Sequence, residues 1–268
     1  MSPQTIAIIG VGIMGEMVLG GLLAHDHNPD HLILAVRRPE RGAELEATYG
    51  VQTVPAADAV HQADVLVLGV KPQDMGALLD QIAESVRPGT IVISLAAGLR
   101  ADFFEQRMAQ TRVVRAIPNT PGLVGEGMTL LAAGASADED ALATAKRIMR
   151  TVGRVVELPQ SQLDLATSIS GSGPAYVFLL TETMRDAAIA NGLDPELASL
   201  LARQAVIGAG ALLRESSDAP EVLRANVTSK KGMTHEAITT LEARGIREAM
   251  TEAVAAAVNR ARELANGG

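Results

Sequence analysis

Residues Thr5 to Gly15, T-I-A-I-I-G-V-G-I-M-G, constrain the fold of this chain more than any other stretch. A short β-branched apolar run ends in G-x-G-x-x-G and passes straight into a helical pattern. Gly10 permits a tight turn, Gly12 lets the backbone approach a ligand, and Gly15 lets the helix pack close to the strand. The helix then offers free N–H groups and the positive end of its dipole. A strand, a glycine turn and a helix in this order imply the first unit of a doubly wound sheet. The anion they suit is the pyrophosphate of a dinucleotide.

Composition narrows the class. Hydrophobic residues make up 47% of the 268, but aromatics only 2%, with no Trp. The core must therefore be Ala, Val, Leu, Ile and Met, and small side chains let helix axes approach closely. A net charge of −8 argues against a nucleic-acid or anionic-membrane surface. The absence of Cys excludes disulfides, thiolate zinc sites and a Cys nucleophile, and fits a reducing cytoplasm. The start of the chain shows no basic n-region or cleavage site, so no signal peptide is expected. No uninterrupted apolar stretch approaches ~20 residues, so no membrane span is expected either.

Strands are expected at residues 5–10, 31–36, 63–69, 90–94, 112–117, 128–133 and 154–157, with helical patterns at 14–24, 41–49, 75–86 and 138–150. Val65-Leu66-Val67-Leu68 is apolar on both faces, the mark of a parallel sheet covered by helices. After Leu158-Pro159 the pattern changes, and helices are expected at 174–190, 194–214, 220–227, 234–243 and 247–264. Asp194 before Pro195 reads as an N-cap followed by Pro at the first helical position. The expected organisation is a Rossmann-type α/β domain over residues 1–160 and an all-helical domain over 161–268. An Ala-rich helical domain of that size has a marginal core alone, which an oligomer through its helices would remedy.

The end of the second strand, Ala35-Val36-Arg37-Arg38-Pro39, carries two arginines where NAD-type sites place an acid. Guanidinium forks suit a 2′-phosphate, so NADP(H) is preferred over NAD(H), with two solvated loop arginines as the bland alternative. Later strand ends carry Val70-Lys71-Pro72, Ser94-Leu95-Ala96-Ala97-Gly98 and Arg115-Ala116-Ile117-Pro118-Asn119-Thr120-Pro121. Ser170-Gly171-Ser172-Gly173-Pro174-Ala175-Tyr176 stands at the junction, as either a linker or a loop bringing donors to a cleft. Val227-Thr228-Ser229-Lys230-Lys231-Gly232-Met233-Thr234 lies between two helices. Its N–H groups and hydroxyls suit a carboxylate; the alternative is a helix start capped by Thr234. His25, His27 and His31 cluster with Asp26 and Asp30 at the far end of the first helix, and are read as solvated rather than metal-binding. His235 is read as a surface histidine at a helix start.

Taken together, G-x-G-x-M-G, V-K-P, S-L-A-A-G, R-A-I-P-N-T-P, S-G-S-G-P-A-Y and T-S-x-x-G-x-T resemble the Δ1-pyrroline-5-carboxylate reductase family, in its order and spacing along essentially the whole chain. The resemblance implies an NADP-binding Rossmann domain, a helical dimerisation domain forming homodimers or larger assemblies, and reduction of a cyclic imine carboxylate to L-proline. It implies that Gly10, Gly12, Ile13, Met14 and Gly15 line the pyrophosphate, with Arg37 and Arg38 near the 2′-phosphate. Val70, Lys71, Pro72, Ala96, Ala97, Gly98 and Asn119 would surround the ribose and nicotinamide. Ser229, Gly232, Met233 and Thr234 would hold the substrate, with Thr234 and Ser229 as the catalytic pair and no metal.

The chain departs from the family at Ile13 (usually Asn), Ile117 (usually Met), Lys230-Lys231 (usually Pro-Gly) and Met233 (usually small). Replacing Gly at position 231 removes backbone freedom. Two rivals share the plan: a β-hydroxyacid dehydrogenase or imine reductase, and a non-catalytic NADP-binding sensor. The first would place a Lys early in the second domain, yet none occurs between Arg147 and Lys230.

Overall fold

The computed structural model describes residues 4–265. Seven strands, β1 (Ile6–Ile9), β2 (Leu32–Ala35), β3 (Val65–Leu68), β4 (Ile91–Ser94), β5 (Arg112–Ile117), β6 (Gly127–Ala133) and β7 (Gly153–Glu157), form one sheet in the order β2-β1-β3-β4-β5-β6-β7. Strands β1 to β5 run parallel, β6 is antiparallel to β5, and β7 is parallel to β6. Ile6 pairs with both Leu32 and Val65, so the first three strands are in register at their starts.

Helices α1 (Ile13–Ala24), α2 (Pro39–Tyr49), α3 (Ala56–Gln62), α4 (Pro72–Ile82), α5 (Ala101–Glu105), α6 (Glu139–Met149) and α7 (Gln160–Ser170) accompany the sheet. Alternation along each strand decides which helices it meets. Ile6, Ile8, Val65, Val67, Ile91 and Ile93 pack on one side with residues of α1, α2 and α6. Ala7, Ile9, Leu66, Leu68 and Val92 pack on the other with α3, α4 and α5. Strands buried on both faces are what the unbroken β-branched runs predict. A third cluster joins Leu163 of α7 to Ile117, Leu130 and Ala132. Each such buried Leu or Ile contributes ~1.5–3 kcal/mol.

Side-chain caps mark the starts of α6 and α9. Asp138 accepts from the N–H of Ala141 at 2.8 Å and caps α6. That bond and the Arg112 guanidinium hold its carboxyl below the usual carboxylate range.

The remaining helices are α8 (Gly173–Ala190), α9 (Pro195–Glu215), α10 (Pro220–Asn226), α11 (Met233–Ala243) and α12 (Ile246–Ala265). Asp194 accepts from the N–H groups of Glu196 at 3.0 Å and Leu197 at 3.1 Å, with Pro195 at the first turn of α9, as the sequence predicts. By packing, the chain divides into one unit ending at Gly171 and joined by residues from Val258 onward, and a second unit, Ser172–Ala257. The sequence change read near residue 160 coincides with the start of α7, but α7 packs with the sheet through Leu163.

In the second unit α8 and α9 pack on each other over the small side chains Ala198 and Ala202, both buried. Large apolar side chains remain exposed, among them Phe178 at 65%, Leu179 at 60%, Leu200 at 62% and Ile207 at 59%. Among the described residues one helix, α9, is long and apolar enough by length and composition to cross a membrane, with a mean hydropathy of 1.3. Arg203 and Gln204 interrupt the apolar run, so a search for uninterrupted stretches passes over it.

Candidate active site

The glycine turn closes as its spacing requires. Gly10 has φ +85°, and a Cβ there would lie 2.5 Å from Cγ2 of Val70 and 2.8 Å from its backbone nitrogen. A Cβ on Gly15 would lie 2.6 Å from the Gly10 carbonyl oxygen. The Gly10 N–H donates to Ala35 O at 2.9 Å, and the Gly69 N–H to Ile9 O at 2.8 Å. The loops after β1, β2 and β3 are thus bound edge to edge. Above Gly12 there is open space: a Cβ at that position would meet nothing within 4 Å.

Gly12 is the N-cap of α1 and supplies no side-chain cap, so the first N–H groups of the helix are free for an anion. Ile13 is 65% exposed beside them, and Met14 packs partly into the core. Glu16 faces the neighbouring helix. It pairs with Arg41 and accepts from the Tyr49 hydroxyl at 2.9 Å, fastening α1 to α2.

Arg37 and Arg38 follow β2, are exposed, and form no ion pair among the described residues. Arg38 is the N-cap of α2, ahead of Pro39, and its helix start also lacks a side-chain cap. Two free guanidiniums beside an uncapped helix fit a phosphate monoester on a ribose. The open turn and bare helix start fit a pyrophosphate. Lys71 stands exposed as the N-cap of α4, with Pro72 at its first turn and Val70 packed over Gly10.

After β4, the Leu95 N–H donates to Leu68 O at 2.9 Å and the Ala96 N–H to Ser94 Oγ at 3.3 Å. Ala96 is buried, Ala97 is exposed, and Gly98 turns the chain at φ +79°. Asn119, after β5, is 8% exposed, and both ends of its amide are engaged. Nδ2 donates to Ser170 O at 2.7 Å, and Oδ1 accepts from the Met128 N–H at 2.8 Å. Its side chain therefore ties the end of α7 to the start of β6, while its carbonyl oxygen accepts from the Gly122 N–H at 3.1 Å.

Two charged residues escaped the sequence reading as partners. Arg115, in the middle of β5, is 2% exposed, and its Nη2 lies 4.0 Å from Asp164 of α7. Burial pushes its guanidinium below the ordinary arginine range, and Asp164 offsets part of that effect. The only sequence signal was a lone cation inside a strand run.

In the second unit, Ser229, Lys230, Lys231, Met233 and Thr234 are exposed, Met233 at 93%. The Gly232 N–H donates to Ser229 O at 3.0 Å, closing a turn in which Lys231 takes φ +61°. Gly232, not Thr234, is the N-cap of α11, and it offers no side-chain cap. A Cβ on Gly232 would collide with the Ser229 hydroxyl. The first N–H groups of an 11-residue helix, the Ser229 hydroxyl and two lysines are therefore gathered on one short loop. The Ser170–Pro174 stretch is no long linker: α7 ends at Ser170 and α8 begins at Gly173, with Pro174 in its first turn.

Known proteins match both parts of this arrangement. Residues 160–264 match the family model described as pyrroline-5-carboxylate reductase dimerisation. Residues 5–98 match the model described as NADP oxidoreductase, coenzyme F420-dependent. The pyrroline-5-carboxylate reductase of Synechocystis sp. is 38% identical, the alignment covering 97% of each chain. Among solved structures, a pyrroline-5-carboxylate reductase from Coxiella burnetii superposes with a TM-score of 0.91 at 36% identity, covering 97% of this chain and 98% of that one. The Plasmodium falciparum pyrroline carboxylate reductase, solved with NADP bound, gives a TM-score of 0.87 at 25% identity over 99% of both chains. With the dimerisation model matching residues 160–264 and a relative 38% identical covering 97% of the chain, this chain belongs to the pyrroline-5-carboxylate reductase family.

Proposed function

We propose that this chain reduces 1-pyrroline-5-carboxylate to L-proline, the final step of proline biosynthesis, with NADPH preferred over NADH. Family membership along nearly the whole chain carries the reading. Bound NADPH supplies a hydride to the C=N carbon of the cyclic imine. The free N–H groups of α1 hold the pyrophosphate, and Arg37 and Arg38 hold the 2′-phosphate, which a guanidinium fork recognises and a ribose hydroxyl does not need. The loops at Val70–Pro72 and Ala96–Gly98, with the backbone of Asn119, shape the ribose and nicotinamide end.

On the substrate side, the Ser229 hydroxyl and the N–H groups of Met233 and Thr234 bind the carboxylate, and Lys230 and Lys231 add positive charge near it. Reduction of a C=N bond requires a proton at nitrogen. A free cyclic imine is basic enough to bring that proton near neutral pH, and Thr234 keeps it oriented through a hydrogen bond at the ring nitrogen. The protein's part is orientation and electrostatics, so neither a nucleophile nor a metal enters the scheme. The apolar faces of α8 and α9 are covered in a homo-oligomer, and the cytoplasmic location expected from the sequence belongs to this proposal.

The decisive assay follows NADPH oxidation with pyrroline-5-carboxylate, piperideine carboxylate and a 3-hydroxyacid in parallel. Turnover with the five-membered imine above the others is expected. Turnover only with the hydroxyacid, or with none of the three, overturns the assignment.

A further inference from the structure

A second cavity in the first unit, of about 1000 Å³, lies between the end of α1, the start of β1 and α6. It is remote from the glycine turn, since the length of α1 at about 1.5 Å per residue separates the two by nearly 20 Å. The backbone builds one wall. After α1 the chain turns through Asp26 in the left-handed region, φ 59°. The His27 N–H donates to Leu22 O at 3.1 Å and the Asp26 N–H to Leu23 O at 3.2 Å. This paired closure of a helix end folds the chain back on itself and sets His27 at the cavity wall. Nε2 of His27 is buried there with no hydrogen-bond partner.

The opposite wall is α6. Arg147 reaches across it, donating from Nη2 to Gln4 Oε1 at 2.8 Å and to Thr144 Oγ1 at 3.2 Å. Both acceptors are neutral, so its charge meets no carboxylate among the described residues. Arg150, on the same wall, is exposed and also has no ion pair there. The one acid lining the cavity, Asp140, is taken by Arg112 at 3.0 Å. Ile6, Leu22 and Ile148 give the cavity an apolar side. In a chain of net charge −8, this is a pocket of surplus positive charge with an orphaned imidazole nitrogen.

We infer that this cavity binds a small oxyanion, a carboxylate or phosphate, held by Arg147 and Arg150 with His27 beside them, at a site separate from the dinucleotide turn. A charge-assisted bond to an anion satisfies Arg147 better than two neutral oxygens do, and the charge of the anion is felt by the His27 ring at the cavity wall. The charged and titratable groups around that ring are His25 and Asp26 at the end of α1, Asp30 and His31 in the following turn, Asp140 and Arg147 on α6, and Arg150 just after it. Burial, with His31 and Arg147 nearby, holds the imidazole below the ordinary histidine range, and a bound anion reverses that balance.

The test uses the full-length protein saturated with NADP⁺, so that the pyrophosphate site is blocked, and follows the His27 imidazole resonances by NMR. Inorganic phosphate and citrate are titrated separately at millimolar concentration. The expected result is a saturable shift with a raised His27 pKa for at least one probe, the difference between the two telling phosphate from carboxylate chemistry. Arg147→Met and Arg150→Met should each weaken binding by about tenfold, with NADPH affinity unchanged as the check on folding. No saturable shift with either probe, or binding by both variants as tight as by the parent protein, overturns the site.

Discussion

Lys231 occupies a left-handed backbone position, φ +61°, that costs an L residue ~1–2 kcal/mol relative to its usual regions. Substituting glycine relieves the strain but adds freedom to the unfolded chain. Lys231→Gly is therefore expected to stabilise the protein by about 0.5–1 kcal/mol. Thermal unfolding measures it, and a midpoint that falls would show that the lysine side chain earns its strained place. Arg38 makes the opposite argument, since its guanidinium has nothing to hold until a phosphate arrives. Arg38→Ala should raise the Kd for NADPH about tenfold or more while leaving NADH nearly unchanged; equal losses would refute the 2′-phosphate role. Both residues were legible in the sequence, one by counting forward from the glycines, the other as a missing glycine in the α11 loop. The double grip of Asn119 was not. Its partner Ser170 is 51 residues away, and nothing local in either residue announces the other. Arg115 and Asp164 were hidden for the same reason.

Strands β1 to β4 were readable because each is a short apolar run buried on both faces, a pattern with few other outcomes. The helices read correctly are those with caps or long apolar stripes, such as α6 behind Asp138 and α9 behind Asp194. Helices α3, α5 and α7 were missed. With seven and five residues, α3 and α5 are too short to show a 3.6-residue period, and α7 has no side-chain cap and mixes Gln, Ser, Asp and Thr with its apolar residues. Yet α7 holds Asn119 through Ser170 and faces Arg115 with Asp164. Leu163→Ala should cost ~2–5 kcal/mol by leaving a cavity against Ile117 and Leu130. Hydrogen exchange should then speed up first in α7; protection lost evenly across the sheet would argue against a local anchor.

At the scale of the molecule, α8 and α9 leave Phe178, Leu179, Leu180, Leu200, Leu201 and Ile207 exposed, the kind of apolar surface that marks an interaction site. Composition alone could state only the need, because an Ala-rich helical half has too little core. Which residues carry the face became clear from the packing of α8 on α9. Replacing Phe178 and Leu200 together by Glu should shift sedimentation toward a smaller species at micromolar concentration. An unchanged sedimentation coefficient would place the assembly surface elsewhere.

The final turns of α12, from Val258 onward, cluster with the unit that holds β1 and the glycine turn. The chain thus leaves the first unit at Gly171 and returns to it at Val258, so the second unit is an insertion between two segments of one unit rather than a terminal appendage.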